Sequence, residues 1–562
     1  MLSLTPKLWT VWKEGYDFST FRTDAVAGLT VAIVALPLSM ALAIASGASP
    51  DKGLITAVVA GLLISALGGS RVQVGGPTGA FVVVVFNVIA THGYDGLLIA
   101  TFLAGLILIA TGVLRLGRLI RFIPHPVVTG FTAGIAVIIA TSQVKDFLGL
   151  AIGEVPADFL PKWGAYFKAI GSIDPATLGV GLASLALIIV LRKLAPRLPG
   201  FLIAIVCTSA AVAIFHLPVA TIGSRYADLS VGIPAPSFPD FSLAKVGEVV
   251  PSAFTIAFLA GIEALLSAVV ADGMAGTRHR PNQELVGQGV ANIASAMFGG
   301  LPATGAIART ATNIRAGART PVAGMMHAVF LLLFLLFAAQ LMVLVPMAAL
   351  AAILFMVAWG MSEIDRFIAL LRMPNSDRVV LLLTFGLTVL VDLTVAIGVG
   401  VTVASLLFMA RMSETVALET GESLKPDTEL DSDDLAQRKE LPPGVEVFRI
   451  SGPVFFGVAG ELLDTLRRMG QKPSVVILRM RLVPMLDASG VSMIEEFVAQ
   501  ARRAGTQIIF SSLQPQPTAM LARADITPST EGLHFAPNFE AAVALAETCA
   551  GKQQSADNPA QG

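Results

Sequence analysis

The chain has 562 residues, 55% of them apolar and 14% charged, with a formal net charge of −1; soluble domains carry about 25% charged residues. Together with a mean hydropathy of +0.76, this excludes a soluble globular protein and gives no basic surface for nucleic acid. The two cysteines, Cys207 and Cys549, stand far apart and form neither a disulfide framework nor a metal site.

The segment 1–24 lacks the charged, apolar and cleavage regions of a signal peptide and is expected to stay in place as a cytoplasmic lead. Stretches near the roughly 20 residues of a spanning helix follow. Twelve read clearly, at 25–46, 53–69, 74–90, 96–114, 126–147, 176–195, 200–216, 251–272, 321–341, 346–361, 377–393 and 394–411. Two weaker ones, 284–298 and 304–318, complete fourteen and define a transmembrane domain over 25–411. Basic residues set the orientation. Arg71, Arg115, Arg118, Arg121, Arg192, Lys193, Arg197, Arg278 and Arg280 fall on one side, as do Arg366, Arg372 and Arg411 when the weak spans are counted. That side is expected to be cytoplasmic, although the long loop at 146–175 carries lysines on the other.

Composition changes near 412. Residues 412–444 are polar and acidic and read as an unpacked linker. Residues 445–550 read as a soluble α/β domain, with strands at "VEVFRI", "SVVILRM" and "TQIIFSSL" and a helix over 490–504. The last stretch, 551–562, reads as a disordered tail. An even number of spans puts this domain in the cytoplasm.

Two interruptions carry the functional signal. "GGPTGAF" begins at Gly75 and "GGLPATGAIA" at Gly299, each inside an apolar run. Pro37 precedes the first by 38 residues (75 − 37) and Glu263 precedes the second by 36 (299 − 263), each in the middle of a helix. The match predicts two related seven-helix halves, and an odd number of helices inverts the second. Gly-Gly allows an unwound approach to the midplane, and proline suits a first helical turn. Short helices beginning at 77 and 303 would then point their N-termini at one another. Each end carries about half a positive charge and free N–H groups, so the pair makes an anion site. Thr78 and Thr304 are placed to cap amides or bind a ligand, and Arg309, one turn into the second helix, adds a full charge. Small residues alone also serve close helix packing; their recurrence in matching positions favours binding.

A carboxylate in mid-span is costly and marks function by default. Glu263 is expected to couple transport to H⁺ or Na⁺, and Ser267, four residues on and on the same face, completes a cation site with Thr304 nearby. His279 reads as a solvated loop residue, His125, His216 and His327 lack companions, and Asn292 and Asn313 read as inter-helix hydrogen bonders. No other cofactor and no tightly bound metal is expected.

The runs "FRTDAVAGLTVAIVALPLSMALAIASG", "GGPTGAF", "HPVVTGFTAGIAVIIATSQVKDFLG" and "NQELVGQGVANIASAMFGGLPATGAIARTATNIRAG" resemble, in order, the SulP anion permeases, called solute carrier family 26 in animals. "MLDASGVSMIEEF" resembles the STAS module that those permeases carry. The resemblance implies an all-α membrane domain of fourteen spans in a seven-plus-seven inverted repeat, divided into core and gate, with a cytoplasmic α/β STAS domain. It implies a dimer and an elevator-like movement of the core. It places the anion among Leu38 and Leu42 on the first helix, Thr78 with Gly79 and Ala80 at the third, Glu263 on the eighth, and Thr304, Gly305, Ala306 and Arg309 at the tenth. Where many members have Pro-Gln this chain has Pro37-Leu38, which removes one polar ligand. Sulfate ranks first as substrate, bicarbonate next and dicarboxylates third.

In the STAS-like domain Asp487 and Ser489 precede the helix, and capping is the favoured role. The resemblance adds a regulatory one, since antagonist STAS domains are phosphorylated at the serine matching Ser489, and it allows a protein partner there. The whole reading is a secondary active anion transporter of a bacterial inner membrane rather than an enzyme. A passive anion channel or exchanger of the same fold is the alternative. A nucleobase permease is disfavoured by Arg309 and the STAS-like tail.

Overall fold

The structure is a computed structural model that describes residues 4–117, 124–153, 155–156, 158–196, 198–226, 232–391, 393–414, 417–420, 441–455, 473–528, 530 and 532–557. Arg118, Arg121, Arg197, most of the expected linker and the end of the expected tail lie outside these residues. The chain forms two compact units, Met1–Ala404 and Ser405–Gly562.

The first unit is helical. After α1 (Lys7–Glu14) come α2 (Phe18–Ala45) and α3 (Pro50–Leu67), the two-residue strand β1 (Gly75–Gly76) and α4 (Phe81–Val113). Then follow α5 (His125–Leu148), α6 (Phe159–Lys168), α7 (Pro175–Leu194), α8 (Gly200–Phe215), α9 (Ile222–Arg225) and α10 (Leu243–Ala275). The second half continues with α11 (Pro281–Met297), β2 (Thr304–Gly305), α12 (Ile307–Arg315), α13 (Pro321–Phe337), α14 (Met347–Met361), α15 (Ile364–Leu371), α16 (Asn375–Leu390) and α17 (Leu393–Glu414). Among the described residues eight helices are long and apolar enough to cross a membrane, and α8 and α13 are shorter apolar helices.

Several boundaries differ from expectation, each for a local reason. The spans expected at 74–90 and 96–114 share one helical element, α4, which starts only at Phe81 and is broken by Gly93 at φ 71°. No side chain opposes that left-handed conformation at glycine. The interrupted helices begin at Phe81 and Ile307, four residues after the expected 77 and 303. Residues between are extended or turned, because Gly76 sits at φ 150° and Gly75–Gly76 pairs as a strand with Thr304–Gly305. At 1.5 Å rise per residue, the nine residues of α12 extend only about 14 Å, roughly half the hydrocarbon thickness.

The helices of this unit pack as two groups. One joins α2, α3, α4, α10, α11, α12 and α13; the other joins α5, α7, α8, α14 and α16. Glycines set the contacts within groups. A Cβ on Gly105 of α4 would lie 2.6 Å from the carbonyl oxygen of Gly289 in α11, and one on Gly289 would lie 2.5 Å from that of Gly105. A Cβ on Gly130 of α5 would likewise lie 2.5 Å from Leu381 O of α16. Such small-residue contacts bring helix backbones together where lipid supplies no hydrophobic drive.

The second unit contains a five-stranded sheet in the order β3-β4-β5-β6-β7, from Ala417–Thr420, Val445–Ser451, Val475–Leu482, Gln507–Ser511 and Leu533–Ala536. β3 is antiparallel to β4 and the others run parallel. Parallel strands need cover on both faces. Helices Ala488–Ala504 and Pro515–Arg523 pack on one face, around Phe448, Leu478, Ile494 and Phe510; the helix Phe539–Asp557 packs on the other, around Val447, Ile477 and Ile509. Two expectations are corrected here. Residues 417–420, placed in an unpacked linker, form the edge strand, and the final helix runs to Asp557, past residue 551 where a tail was expected.

Candidate functional site

β1 and β2 meet antiparallel, Gly75 opposite Gly305 and Gly76 opposite Thr304. The Ala306 amide extends the pairing by donating to Val74 O at 2.9 Å. Backbone that leaves a helix inside an apolar protein must find partners, and here each broken segment satisfies the other. The two helices that follow therefore start beside one crossing; the first two amides of α4 donate to Thr78 O and Gly79 O, at 3.3 and 3.1 Å, so it is the first turn of α12 that can offer N–H groups there.

Neighbouring side chains hold the crossing in register. The Asn313 amide donates to Val72 O at 2.9 Å, and Asn292 exchanges two bonds with the backbone of Ala303, at 2.8 and 2.9 Å. The expected inter-helix asparagines thus pin the residues leading into β1 and β2. The Glu284 carboxylate accepts from the amides of Gly69 and Ser70 at 2.7 and 3.1 Å and fixes the turn before β1. Thr304 Oγ1 donates to Ala260 O at 2.8 Å, and Gln73 Nε2 donates to Ala264 O at 3.1 Å. These two bonds bracket Glu263 on α10.

Arg309 and Glu263 meet the same turn. Arg309 is 2% exposed; its Nη2 donates to Pro77 O at 3.0 Å and to Ser39 Oγ at 3.3 Å. Its Nε and Nη1 have no hydrogen-bond partner, and no carboxylate pairs with it among the described residues. One residue beyond Pro77, Thr78 Oγ1 donates to Glu263 Oε2 at 2.7 Å. Adjacent residues of one turn therefore carry a buried cation on one side and a half-buried carboxylate on the other. Gly76 is required here: a Cβ would run into Arg309 Nη1.

The remaining candidates divide. Leu38, Leu42 and Ala80 are buried in the apolar cluster around the crossing, with Ala306 9% exposed beside Thr304 and Gly305. Gly79 faces Met361 and Ile139, and a Cβ on Gly305 would strike the Gln73 amide. Thr78 and Thr304 do not cap the short helices. The cap positions are Ala80 and Ala306, because both helices start later than the threonines would need. Ser267 donates to Thr310 Oγ1 at 3.2 Å, and Thr310 Oγ1 in turn accepts the Val74 amide. Ser267, Thr304 and Glu263 thus each engage a different partner. His279, expected to be solvated, is half-buried and sits with Nδ1 2.7 Å from Asp272. Gln73, Ser39, Thr310 and Glu284 were missed by sequence reasoning; only Gln73, a polar residue two positions before Gly75, left any mark. In the second unit Asp487 caps its helix by accepting from Gly490 N at 2.8 Å, while Ser489 lies inside the first turn rather than before it.

A helical membrane unit in which two broken segments cross beside an unpaired buried arginine defines a carrier for anions. The chain belongs to the sulfate permease family, whose model matches residues 21–384; a STAS domain matches residues 437–542. YvdB of Bacillus subtilis, provisionally named a sulfate transporter, is 41% identical over 93% of this chain and 97% of its own. The bicarbonate transporter BicA of a Picosynechococcus strain is 34% identical over 82% of this chain and 83% of its own. In fold, the inward-facing structure of the murine Solute Carrier 26 family member A9 anion transporter superposes with a TM-score of 0.86 at 18% identity, covering 97% of this chain and 94% of that one. The protein is an integral membrane transporter of anions, not an enzyme.

Proposed function

We propose that the protein is a secondary active anion transporter of a bacterial cytoplasmic membrane, with sulfate as its leading substrate, bicarbonate next and dicarboxylates third. The observation that carries this is Arg309, buried at the strand crossing with two guanidinium nitrogens unpaired. An anion seated between α2, the 77–80 turn, α10 and the start of α12 would take those donors and the first amides of α12.

Glu263 couples the anion to a cation. With Glu263 ionised, the Arg309–Glu263 pair is formally neutral and suits a monovalent anion accompanied by Na⁺; with Glu263 protonated, the site keeps one positive charge and suits divalent sulfate carried with H⁺. The Thr78 hydroxyl on Glu263 ties this protonation state to the turn that also holds Arg309. Reading α4 as two spans broken at Gly93, and α11 and α12 as short spans, gives fourteen segments in two inverted halves with both termini cytoplasmic. The first packing group would carry the site as a mobile core against the second, in a homodimer. The STAS domain, through Asp487 and Ser489, would regulate transport or dock a partner. A passive exchanger gains nothing from a half-buried carboxylate, so Glu263 favours coupling.

The test is purified protein in liposomes with labelled sulfate, bicarbonate and succinate under imposed H⁺ or Na⁺ gradients. Concentrative uptake of one anion driven by one of the gradients is the expected result. Flux that only equilibrates, whatever the gradient, would move the protein to the passive class.

A further inference from the structure

A wide cleft lies away from the strand crossing. It has a volume of about 800 Å³ and lies between α5, α7 and α14, lined by Phe147, Leu185, Ile189, Phe355, Met356 and Trp359, with Arg192 and Lys193 at one end. Phe147 and Phe355 meet edge to face at 5.0 Å and form an apolar wall.

The order of side chains along α7 matters most. Leu185, Ile189, Arg192 and Lys193 follow i, i+4, i+7 and i+8, so they form one stripe that is apolar for two turns and then cationic. From Leu185 to Lys193 the stripe rises about 12 Å, close to the depth of one leaflet's hydrocarbon. On α14, Trp359 stands one turn beyond Phe355 and is 62% exposed, an indole with an apolar body and an N–H donor. The outer face of α7 is apolar as well, with Leu182, Val190 and Leu194 all more than 45% exposed. In an integral membrane protein such a face meets lipid, so the cleft opens to the bilayer rather than to water. Neither Arg192 nor Lys193 belongs to an ion pair among the described residues.

We infer that this cleft binds a phospholipid with an anionic headgroup, its acyl chains against Phe147, Leu185 and Phe355 and its phosphate on Arg192 and Lys193. The argument is charge complementarity along a helix: hydrocarbon meets hydrocarbon, and the anion meets two cations at the depth where headgroups lie. The site lies in the second packing group, apart from Arg309 and Glu263, so its occupant would act on the scaffold and not on the transported anion.

Native mass spectrometry of the delipidated full-length protein tests this, with phosphatidylglycerol and phosphatidylcholine added separately. Wild type should retain phosphatidylglycerol preferentially. The double variant Arg192→Gln, Lys193→Gln should lose roughly 30-fold of that preference, about fivefold per cation, while retaining phosphatidylcholine as before. Ile189→Trp, which fills the cleft, should weaken retention of both lipids. Equal retention of the two lipids by wild type, or an unchanged preference in the double variant, would overturn the inference. A second copy of the chain is the rival occupant. With Cys207 and Cys549, the two native thiols, replaced by serine, efficient cross-linking between copies through Ile189→Cys in native membranes would give the cleft to that copy instead.

Discussion

Replacing Arg309 with methionine separates the two costs that meet at the strand crossing. Methionine keeps an unbranched apolar stem and removes the guanidinium with its charge. In the wild type Arg309 has two backbone or hydroxyl acceptors, at 3.0 and 3.3 Å, and two nitrogens left for a ligand. One charge-assisted hydrogen bond to an anion contributes about 2–3 kcal/mol, so binding should weaken by roughly 30- to 150-fold. Folding should respond the other way. Losing the donor to Pro77 O and Ser39 costs about 1–3 kcal/mol, whereas relieving an unpaired buried cation returns several kcal/mol. The ligand-free variant should therefore melt at or above the wild-type temperature, and anion should no longer raise that temperature. Thermal melting of purified protein across an anion titration reads both quantities. Wild-type stabilisation by anion in the variant, or a large drop in the melting temperature without anion, would refute the role given to this arginine.

Glu263→Gln preserves shape and the contact with Thr78; uptake in liposomes should lose its dependence on imposed H⁺ and Na⁺ gradients while anion binding persists, and retained gradient dependence would remove Glu263 from coupling. Gly305→Ala pushes the Gln73 amide off Ala264 O, one residue from Glu263, so uptake should fall about fivefold, the value of one lost hydrogen bond of about 1 kcal/mol, with membrane insertion intact. Gly289→Ala puts a methyl 2.5 Å from the Gly105 carbonyl and must spread α4 from α11; overpacking of this kind costs about 1–3 kcal/mol and should lower the melting temperature, with an unchanged melt counting against the packing described. Truncation after Glu414, the end of α17, should leave a membrane-inserted protein, and failure to insert would make the C-terminal unit a structural requirement.

The crossing was legible because glycine, proline and threonine are poor members of an apolar helix, and because they recur at matched distances from Pro37 and Glu263. The starts of the short helices were not. Pro77 was read as a first-turn proline, but its part is played by its carbonyl, which accepts Arg309. A backbone acceptor has no signature in sequence, so the partner of Arg309 could not be named. Ser39 and Thr310 were hidden for a related reason: single hydroxyls in apolar runs are common, and only the fold brings these two to Arg309 and Val74. His279 was misread because Asp272, seven residues earlier and across a helix end, meets it only after the chain turns at Gly276. In the second unit the alternating strands announced themselves, whereas the four-residue edge strand at Ala417 was too short to stand out against its acidic surroundings.

Several glycine contacts inside the packing groups differ in kind from the one that Gly79 makes between them. Inside the first group, Gly28 meets the carbonyl of Ala323, Gly53 the carbonyl of Ser39, and Gly105 and Gly289 each other's carbonyls. Inside the second, Gly130 meets the carbonyl of Leu381. These approaches are backbone to backbone and leave no room to slide. Across the groups, a Cβ on Gly79, just ahead of α4, would instead lie 2.6 Å from the sulfur of Met361 and 3.3 Å from the δ-methyl of Ile139. Those are the ends of side chains, and methionine in particular repacks at small cost. The carrier proposed above, moving its anion site past a scaffold, would need this combination: rigid contacts that keep Arg309, Glu263 and the strand pair together, and deformable ones at the surface they cross. Gly79 stands one residue from Thr78, so the deformable contact lies directly behind the turn that holds both charges. Movement there would carry Arg309 and Glu263 as a unit, which is what coupling of an anion to a cation demands.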